Sequence, residues 1–454
     1  MTQPPGRTSR DVGCNRRTLI SAVGGAVTVG LAGCLGDPGP PTYDLAQSSF
    51  DPDHVGYDRA IPVKSGITMF RRGLRRLGYY PNATVPNSVE IDWLHPVNYI
   101  GHNAPKASPL LTPDGETILV PADTGKIHAF DPDGDTQWAT RTQATRQGFH
   151  ATPIVVDGTA YLGGYDGANI GQEAAMYAVD TATGEIEWRT EEMDGSVAIG
   201  SSAGYWDGYL FVIVEHRHPK QKGELWVFDA ETGEPLRSDD RIDGMPHPTV
   251  AIDPAYERLL TGSNDGRVYA WEFPSLNFAW FYKTDAQVKG PIATYNGTAI
   301  VGSWDHHIYA LDLEDGTKRW SVETDGVVMS APGIDPIEGI AYVGSDDWHL
   351  YAIDIETGDV QWATNLYGRL MGGITVTSET VLAGTTAAEL CAVEKTTGEL
   401  RWFVETYGHV TSAPVPHNDR VYITERAVVS GYWDEGKETT TETPGHVYCV
   451  TGIS

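Results

Sequence analysis

The feature that most constrains this chain is a pattern of four residues that recurs at fixed spacing. Alanine, aspartate, glycine and tryptophan stand at offsets 0, 2, 6 and 10. Intact copies of the pattern begin at Ala178, Ala310 and Ala352. A copy with glutamate for aspartate begins at Ala392, and degraded copies begin at Ala129, Val227 and Ala270. Such repetition predicts an architecture in which each unit buries its apolar face against its neighbours.

A similar sequence segment precedes each copy of the pattern. A small residue and a proline come first, then a short β-rich run that ends in Gly-Ser-x-Asp, as at Gly302–Asp305 and Gly344–Asp347. Four short strands in about 40–50 residues, separated by turn signals, are typical of a β-propeller blade. The glycine suits a tight turn with positive φ, and the tryptophan is large enough to pack between adjacent blades.

Counting the third strands gives the number of blades. A small residue marks each of them, at Ala129, Ala178, Val227, Ala270, Ala310, Ala352, Ala392 and Cys449. The candidate docking tryptophans are Trp93, Trp138, Trp188, Trp280, Trp320, Trp362 and Trp402, with Arg237 in place of another. We therefore predict an all-β, eight-bladed propeller of four-stranded antiparallel blades over residues 89–454. Five residues follow Cys449, so an N-terminal strand around Trp93 is expected to close the last blade and remove its exposed edge.

These repeats resemble those of the pyrroloquinoline-quinone (PQQ) propeller superfamily, whose tryptophan-docking motif the pattern matches from about residue 90 to 454. The resemblance implies eight blades. The superfamily includes quinoprotein dehydrogenases and non-catalytic assembly lipoproteins, and a shared fold does not decide between such functions. The dehydrogenases hold PQQ and Ca²⁺ on the propeller axis, typically over adjacent cysteines with a tryptophan beneath.

Two functional hypotheses follow from that resemblance. The first is a binding or scaffold module for protein or peptide partners, and the alternative is a PQQ- and Ca²⁺-dependent alcohol or sugar dehydrogenase. This chain has no neighbouring cysteines, and spacing alone assigns no set of Ca²⁺ ligands. We therefore favour the binding module, with no catalytic residues assigned.

The N-terminus has the pattern of an export signal. A basic region with Arg16 and Arg17 precedes an apolar run that is too short to span a bilayer, which takes about 20 residues. The arginine pair resembles a twin-arginine signal, and Leu31–Cys34 resembles a lipobox, whose Cys34 becomes the lipid anchor. We expect a signal peptide over 1–33, a flexible tether over 34–50, and an extracytoplasmic protein anchored to the membrane.

Residues 51–88 are expected to form an N-terminal strap. Within it, residues 67–77 are basic and roughly amphipathic, which predicts a short helix. Two positions for this helix remain open: on anionic lipid beside the anchor, or strapped onto the acidic propeller.

Charge excludes one class of function and indicates a habitat. The formal net charge is −29, which argues against nucleic-acid binding because phosphate recognition needs clustered cations. Arginine outnumbers lysine, and the acidic composition resembles that of proteins from salt-loving archaea. An acidic secreted protein from an ordinary habitat is the alternative.

Outside the signal region, Cys391 and Cys449 are expected to be two buried thiols, and no Cys-x-x-Cys-His motif for covalent haem is present.

The connections between strands indicate where a site lies. In a four-stranded blade, the first and third turns share one face of the ring, while the second turn and the link to the next blade share the other. The second face collects the insertions and long loops, where binding residues concentrate. Its candidate ligand residues are His150, Lys289, Trp304, His306, His307, Trp348 and His349, together with His216, His218 and His409. The histidine pairs lack the spacing and supporting carboxylates of a metal site.

Overall fold

The computed structural model describes residues 66–100, 107–142, 148–164, 175–190, 198–216, 221–246, 248–430 and 440–453. These residues contain eight antiparallel sheets with four principal strands each, which are the blades of a propeller. The predicted all-β, eight-bladed fold is confirmed. The predicted signal peptide, with Arg16 and Arg17, the anchor Cys34 and the tether lie outside the described residues.

The first four blades follow one another along the chain, and their strands are given from the axis outward. Blade 1 contains Leu110–Leu111, Ile118–Pro121, Lys126–Phe130 and Thr136–Arg141. Blade 2 contains Ile154–Val156, Thr159–Gly163, Met176–Asp180 and Ile186–Arg189. Blade 3 contains Gly204–Trp206, Tyr209–His216, Lys222–Asp229 and Pro235–Asp243. Blade 4 contains Ala251–Asp253, Arg258–Gly262, Arg267–Glu272 and Phe278–Lys283.

The last four blades complete the ring. Blade 5 contains Ala293–Tyr295, Thr298–Gly302, His307–Asp312 and Lys318–Glu323. Blade 6 contains Gly333–Asp335, Ile340–Gly344, His349–Asp354 and Val360–Asn365. Blade 7 contains Thr375–Thr377, Thr380–Thr385, Glu389–Glu394 and Leu400–Glu405. Blade 8 contains Val415–His417, Arg420–Thr424, Gly445–Gly452 and Val89–Asn98. A small separate sheet pairs Val428–Ser430 with Thr440–Thr443.

The ring closes through the N-terminal strand, as predicted. Val89–Asn98 is the outer strand of blade 8 and pairs antiparallel with Gly445–Gly452, so that Trp93 lies opposite Cys449. Both ends of the propeller sequence therefore share one sheet, and blade 8 has its fourth strand. Cys391 and Cys449 are free and buried, as expected, and burial raises the pKa of both thiols to about 12.

The tryptophans of the repeat join each blade to its neighbour. In six of the interfaces described, the indole covers the turn glycine of a neighbouring blade, as Trp280 covers Gly316. Each indole Nε1 donates a hydrogen bond of 2.7–3.1 Å to a carbonyl across the interface. These tryptophans are Trp93, Trp138, Trp188, Trp280, Trp320, Trp362 and Trp402. The indole of Trp402 donates to the carbonyl of Pro86. Arg237 substitutes for the indole in blade 3, since its guanidinium donates to the carbonyls of Ser275 and Leu276.

Residues 66–80, which we call the plug, lie inside the ring of inner strands. Ile67–Met69 pairs with the first strand of blade 2, and Tyr79–Tyr80 pairs with the first strand of blade 7. Between these two strands the backbone carbonyls of Leu74, Arg75 and Leu77 accept hydrogen bonds from the inner strands of blades 4, 5 and 6. The plug thus satisfies backbone groups that would otherwise remain unpaired along the axis.

The prediction of a helix over 67–77 is wrong. The segment contains a strand and a single 3-10 turn, Phe70–Arg72, and Arg71, Arg72 and Arg76 have positive φ. Of the two predicted positions for this segment, on anionic lipid or against the propeller, the structure shows the second. The helix fails because the backbone bonds to the inner strands instead of to itself, and because two of the basic side chains turn inward.

Those two inward side chains are Arg71 and Arg76. Both are buried, and they donate to backbone carbonyls: Arg76 to Val250 and Ala203 at 2.8 and 2.9 Å, and Arg71 to Ile374 at 2.8 Å. Burial lowers the pKa of Arg71 to about 10 and, together with the neighbouring Arg71 charge, that of Arg76 to about 9. The guanidinium groups therefore act as crosslinks between the plug and several blades.

The turns of the blades define two faces of the ring. We call the face with the first and third turns of each blade the plain face, and the opposite one the funnel face. The plug enters from the plain face, because the carbonyl of Gly66 accepts from Asp157 in the first turn of blade 2 and Met69 pairs with Ile154 further along the axis. No helix among the described residues has the length and apolarity to span a membrane.

Candidate functional site

A cavity of about 1010 Å³, which we call the funnel, lies on the axis at the funnel face. Its narrow end is a ring of eight residues, each two positions before the first strand of a blade. These residues are Ser108, Thr152, Ser202, Thr249, Pro291, Ala331, Gly373 and Ala413. Phe70 of the plug also lines the cavity. The repeated small-residue step of the sequence is therefore the neck of the funnel.

Hydrogen bonds hold one half of this neck together. The backbone N–H of Ser108, Thr152 and Ser202 each donates to the hydroxyl of the next blade's neck residue, at 2.9–3.1 Å. The N–H of Ala413 donates to Ser108 at 2.8 Å and carries the chain of bonds across the closure into blade 8. The neck is therefore rigid where blades 8, 1, 2, 3 and 4 meet.

The wall above the neck is built from two further positions of the repeat. The first lies two residues before the neck and supplies His150, Lys289, Met329 and Met371. The second is the variable residue of Gly-Ser-x-Asp or its equivalent, and it supplies Trp304, Asp346, Thr386 and Arg426. The repeat therefore gives these side chains a common direction, while their identities differ from blade to blade.

The charged groups of the wall are mostly cationic. Lys289, Arg369 and Arg426 line the funnel together with one described carboxylate, Asp346. This composition is the opposite of the whole chain, which carries a net charge of −29. A cationic, partly enclosed cavity in an acidic protein concentrates anions, because its low-dielectric walls focus the field.

Lys289 and Trp304 form one unit of the wall. The Lys289 ammonium lies 3.8 Å from the centroid of the indole, a cation–π contact. Burial lowers the pKa of Lys289, although the charge of Glu215 opposes this effect. The buried Nε1 of Trp304 has no hydrogen-bond partner, and neither does Oε1 of Gln287. The unit therefore offers a partly desolvated cation and an unpaired donor.

Arg426 belongs to a second unit on the far side of the neck. The Arg426 side chain is 7% exposed, and its Nε donates to the hydroxyl of Thr411 at 3.2 Å. Burial lowers the pKa of Arg426 to about 10, against the opposing charge of Asp346. Partial burial, together with Arg426 and Arg369, also lowers the pKa of His409, which favours its neutral form.

Asp346 is the carboxylate of this second unit. Burial raises its pKa, although Arg369, whose Nη1 lies 3.8 Å from Oδ2, acts in the opposite direction. Its Oδ1 is buried and has no hydrogen-bond partner. A carboxylate with a raised pKa in a cavity has the properties of a proton acceptor.

Two bulky residues at the funnel face have left-handed backbone conformations. His306 and Trp348 have φ of 69° and 75°, and they occupy the turn position that glycine fills in blades 1 and 4, at Gly125 and Gly266. Trp348 is 48% exposed. Side chains held in this region cost about 1–3 kcal/mol and cluster at binding sites.

The predicted ligand residues divide into two groups. His150, Lys289, Trp304, His306 and His409 line the funnel. The others stand elsewhere: His307 and His349 contact the backbone of the preceding turn aspartates Asp305 and Asp347, Trp348 lies exposed, His216 is buried on Glu224, and His218 is outside the described residues. Those aspartates make the Asx turns expected of Gly-Ser-x-Asp, through Oδ1.

Sequence reasoning missed the three charged wall residues Asp346, Arg369 and Arg426. The signal that identifies Asp346 and Arg426 is their place in the repeat, two residues beyond the second strand of blades 6 and 8. Trp304 occupies the same place in blade 5 and was selected for its residue type alone. Arg369 stands in the link between blades 6 and 7, which carries no comparable marker.

The described wall does not fit the Ca²⁺ ion that the superfamily resemblance implies. Ca²⁺ takes six to eight oxygen ligands, whereas the described carboxylate of the wall is Asp346. Within the described ranges, no group of three or more His, Cys, Asp or Glu side chains has the arrangement to hold a metal. Carboxylates of an organic ligand would pair with the cations of the wall, whereas the Ca²⁺ ion that accompanies the quinone would lack oxygen ligands among the described wall residues.

Comparison with known proteins identifies the class of this propeller. The profile of the family described as outer membrane protein assembly factor BamB matches residues 101–254, 253–369 and 346–437, more than half of the chain. The chain therefore belongs to this family. A curated relative, the dehydrogenase subunit of the quinone alcohol dehydrogenase of Acetobacter aceti, is 26% identical over 191 residues. That match covers 40% of this chain and 20% of the relative's length.

Solved structures from both branches share the fold. The quinohemoprotein alcohol dehydrogenase of Comamonas testosteroni has a TM-score of 0.68 at 15% identity, covering 89% of this chain and 83% of that one. A europium-containing methanol dehydrogenase has a TM-score of 0.66 at 12% identity, with 86% and 98% covered. BamB of Moraxella catarrhalis has a TM-score of 0.53 at 15% identity, with 79% and 100% covered. At these identities the similarity shows the fold alone.

Proposed function

We propose that this chain is a non-catalytic binding propeller, anchored by lipid at the extracytoplasmic face of the cell membrane, and that protein partners dock at its funnel. The family description names an assembly factor, which is consistent with partner binding. The proposed location rests on the lipobox and the arginine pair of the N-terminal sequence.

The observation that carries the proposal is the chemistry of the funnel wall. Its groups are cations, an aromatic face, the unpaired Nε1 donor of Trp304 and the unpaired Oδ1 acceptor of Asp346, which are groups that bind. The wall stands on a neck crosslinked by hydrogen bonds, and such rigidity reduces the entropic cost of holding a partner.

The direct test is capture of partners at native salt. The tagged full chain is crosslinked in membranes of its host, and partners are compared between the natural protein and the Lys289→Gln and Arg369→Gln variants. Lys318→Gln and Arg319→Gln, which change the same residue types near the plain face, serve as matched controls. We expect one partner to be lost in the funnel variants and kept in the controls. Equal recovery from all five proteins would contradict docking at the funnel.

Anchoring has its own measurement. Cys34→Ser removes the thiol that the lipobox requires, so the variant should move from the membrane fraction to the soluble fraction after export. Protease added to intact cells should degrade the natural protein. If Cys34→Ser remains with the membrane, the anchor lies elsewhere.

A second candidate function rests on Asp346. Its raised pKa and its position beside Arg369 are the properties of a general base in a cavity. The dehydrogenases among the similar proteins make quinone-dependent oxidation of an alcohol or sugar the reaction to examine. The purified protein is mixed with PQQ and Ca²⁺ in molar salt, and dye reduction is followed for the natural chain and for Asp346→Asn. Turnover that Asp346→Asn abolishes would replace the binding proposal with an enzyme.

A further inference from the structure

The funnel wall carries cations on opposite sides of the neck. Lys289 precedes blade 5, and Arg426 follows the second strand of blade 8, so three of the eight blade steps separate them around the ring. A ligand that contacts both cations at once is expected to bear carboxylates spaced along its length.

We infer that the funnel recognises an acidic, extended peptide segment of the partner, with carboxylates at Lys289 and at the Arg369 and Arg426 pair. This inference rests on the proposed function and specifies the chemistry of its partner. The cavity, at about 1010 Å³, is at the upper limit of small-molecule pockets, which hold roughly 300–1,000 Å³. A segment of polypeptide uses that space.

Exposed aromatic side chains on the funnel face support a peptide rather than a small anion. Trp348, Tyr367 and Tyr407 are 48%, 76% and 62% exposed. Tyr367 has φ of 57°, and Trp348 has φ of 75°, so the backbone is strained where it presents these rings. Trp348 lies in the second turn of blade 6, and Tyr367 and Tyr407 follow the outer strands of blades 6 and 7. Exposed aromatic rings next to a cationic cavity suit a segment with apolar residues among its acidic ones.

Charge determines where such a segment stays. The chain as a whole repels an acidic polymer, so a contact outside the funnel is unfavourable. This contrast also argues against nucleic acid, whose phosphates would continue beyond the cavity across an acidic surface. The funnel therefore sets the register of the bound segment as well as its affinity.

Burial allows the ion pair at Arg426 to persist in salt. At molar ionic strength the screening length is about 3 Å, so attraction between exposed charges largely disappears. Arg426 is already desolvated in the folded chain, at 7% exposure, and its guanidinium is held by Thr411. A carboxylate that reaches it makes a charge-assisted hydrogen bond at close range, which salt weakens less than a surface pair.

The test uses a fluorescein-labelled ten-residue peptide that alternates Asp and Glu with Gly and contains one Phe. Fluorescence anisotropy is measured with the full chain at about 2 M KCl. We expect binding tighter than about 1 mM, with a loss of about tenfold in Lys289→Gln and in Arg426→Gln and a smaller loss in Arg369→Gln, whose side chain is 60% exposed. Lys318→Gln and Arg319→Gln should change the affinity less than about twofold, since exposed pairs contribute little.

Further outcomes separate the alternatives. A peptide with Lys in place of Asp and Glu should not bind. Citrate or a single-stranded oligonucleotide that competes as well as the acidic peptide would overturn the peptide assignment, as would unchanged binding in Lys289→Gln and Arg369→Gln, whose side chains are not fully buried and leave folding intact. If the acidic peptide fails to bind while the funnel variants still lose their crosslinked partner, this inference fails and the proposed function stands.

Discussion

The contact between Trp280 and Gly316 allows the docking of neighbouring blades to be measured. The indole of Trp280 covers Gly316, which has φ of 74°, and Nε1 donates to the carbonyl of Leu313 at 3.1 Å. A Cβ added at Gly316 would lie 2.5 Å from Cε3 and 2.6 Å from Cδ2 of that indole. Ordinary carbon contacts begin near 3.5 Å, so the ring must move by about 1 Å. Gly316→Ala therefore separates blades 4 and 5 locally.

The expected loss has two contributions. A non-glycine residue in the left-handed region costs about 1–2 kcal/mol. Forcing extra volume into a packed interface costs about 1–3 kcal/mol more. Gly316→Ala should therefore lower the free energy of unfolding by about 2–5 kcal/mol.

Gly339→Ala is the matched control. Gly339 has φ of 71°, but nothing lies within 4 Å of its added Cβ, so this variant isolates the backbone contribution. Denaturant unfolding of both variants is compared at a fixed molar salt concentration. We expect Gly339→Ala to lose about 1–2 kcal/mol and Gly316→Ala clearly more.

Equal losses in the two variants would refute the packing argument, because the indole would then contribute nothing at that glycine. A double-mutant cycle provides a second check. Trp280→Leu makes room for the new methyl group, so Gly316→Ala should cost less in that background than in the natural chain. If the two changes were additive, the contact between them would be energetically irrelevant.

Three further predictions concern strain, pH and salt. Trp348→Gly relieves a left-handed φ, so the free energy of unfolding should change by less than about 1 kcal/mol, while binding of the acidic peptide weakens; a larger loss of stability would show that the indole is structural. Burial, aided by the charge of Lys126, lowers the pKa of His128 to about 4. The unfolded chain therefore takes up this proton first, and stability should fall as pH drops from about 6.5 to 4; His128→Leu should make that slope shallower, and an unchanged slope would contradict it. Finally, the net charge of −29 predicts a melting temperature that rises from about 0.1 M to molar KCl as self-repulsion is screened, and a flat series would contradict the halophilic interpretation.

The architecture could be predicted from the sequence because the spacing of the repeat reflects the geometry of a blade. The offsets of the alanine and the tryptophan predict where the third and fourth strands lie, and the number of third strands predicts the number of blades. The surplus strand around Trp93 pairs with the segment of Cys449, since a ring with one incomplete blade has a single place for it. These features depend on period and position, which a single sequence displays directly.

The sequence predicts the wrong structure for the plug, and the reason is physical. Apolar and basic residues over 67–77 have a roughly helical spacing, but the inner strands around the axis offer backbone partners that a helix cannot use. Hydrogen bonds from Ile252, Thr294 and Ile334 to the plug outweigh the local preference. Local sequence carries no information about those partners, because they lie more than 170 positions away.

The funnel could be predicted in outline and not in detail. A cavity lies on the face where the sequence predicts a site, and five of the candidate residues line it. Selection by residue type alone also admitted His307 and His349, whose rings lie against their own turns. The places in the repeat that supply the wall become evident once the neck is seen, because the strand bounds fix which offsets point to the axis.

The entry of the plug from the plain face has a consequence for how the molecule stands at a bilayer. The backbone carbonyl of Gly66 accepts a hydrogen bond from the first turn of blade 2, so the described chain begins at the plain face, on the side opposite the cavity. If an anchor holds the propeller from this end, we expect the plain face to lie next to the bilayer and the funnel to open away from it. A fluorophore at Asp133→Cys, whose side chain is 83% exposed in a plain-face turn, should then be quenched by spin-labelled lipid, and one at Tyr367→Cys should remain bright. The reverse pattern would mean that the funnel face lies against the lipid headgroups.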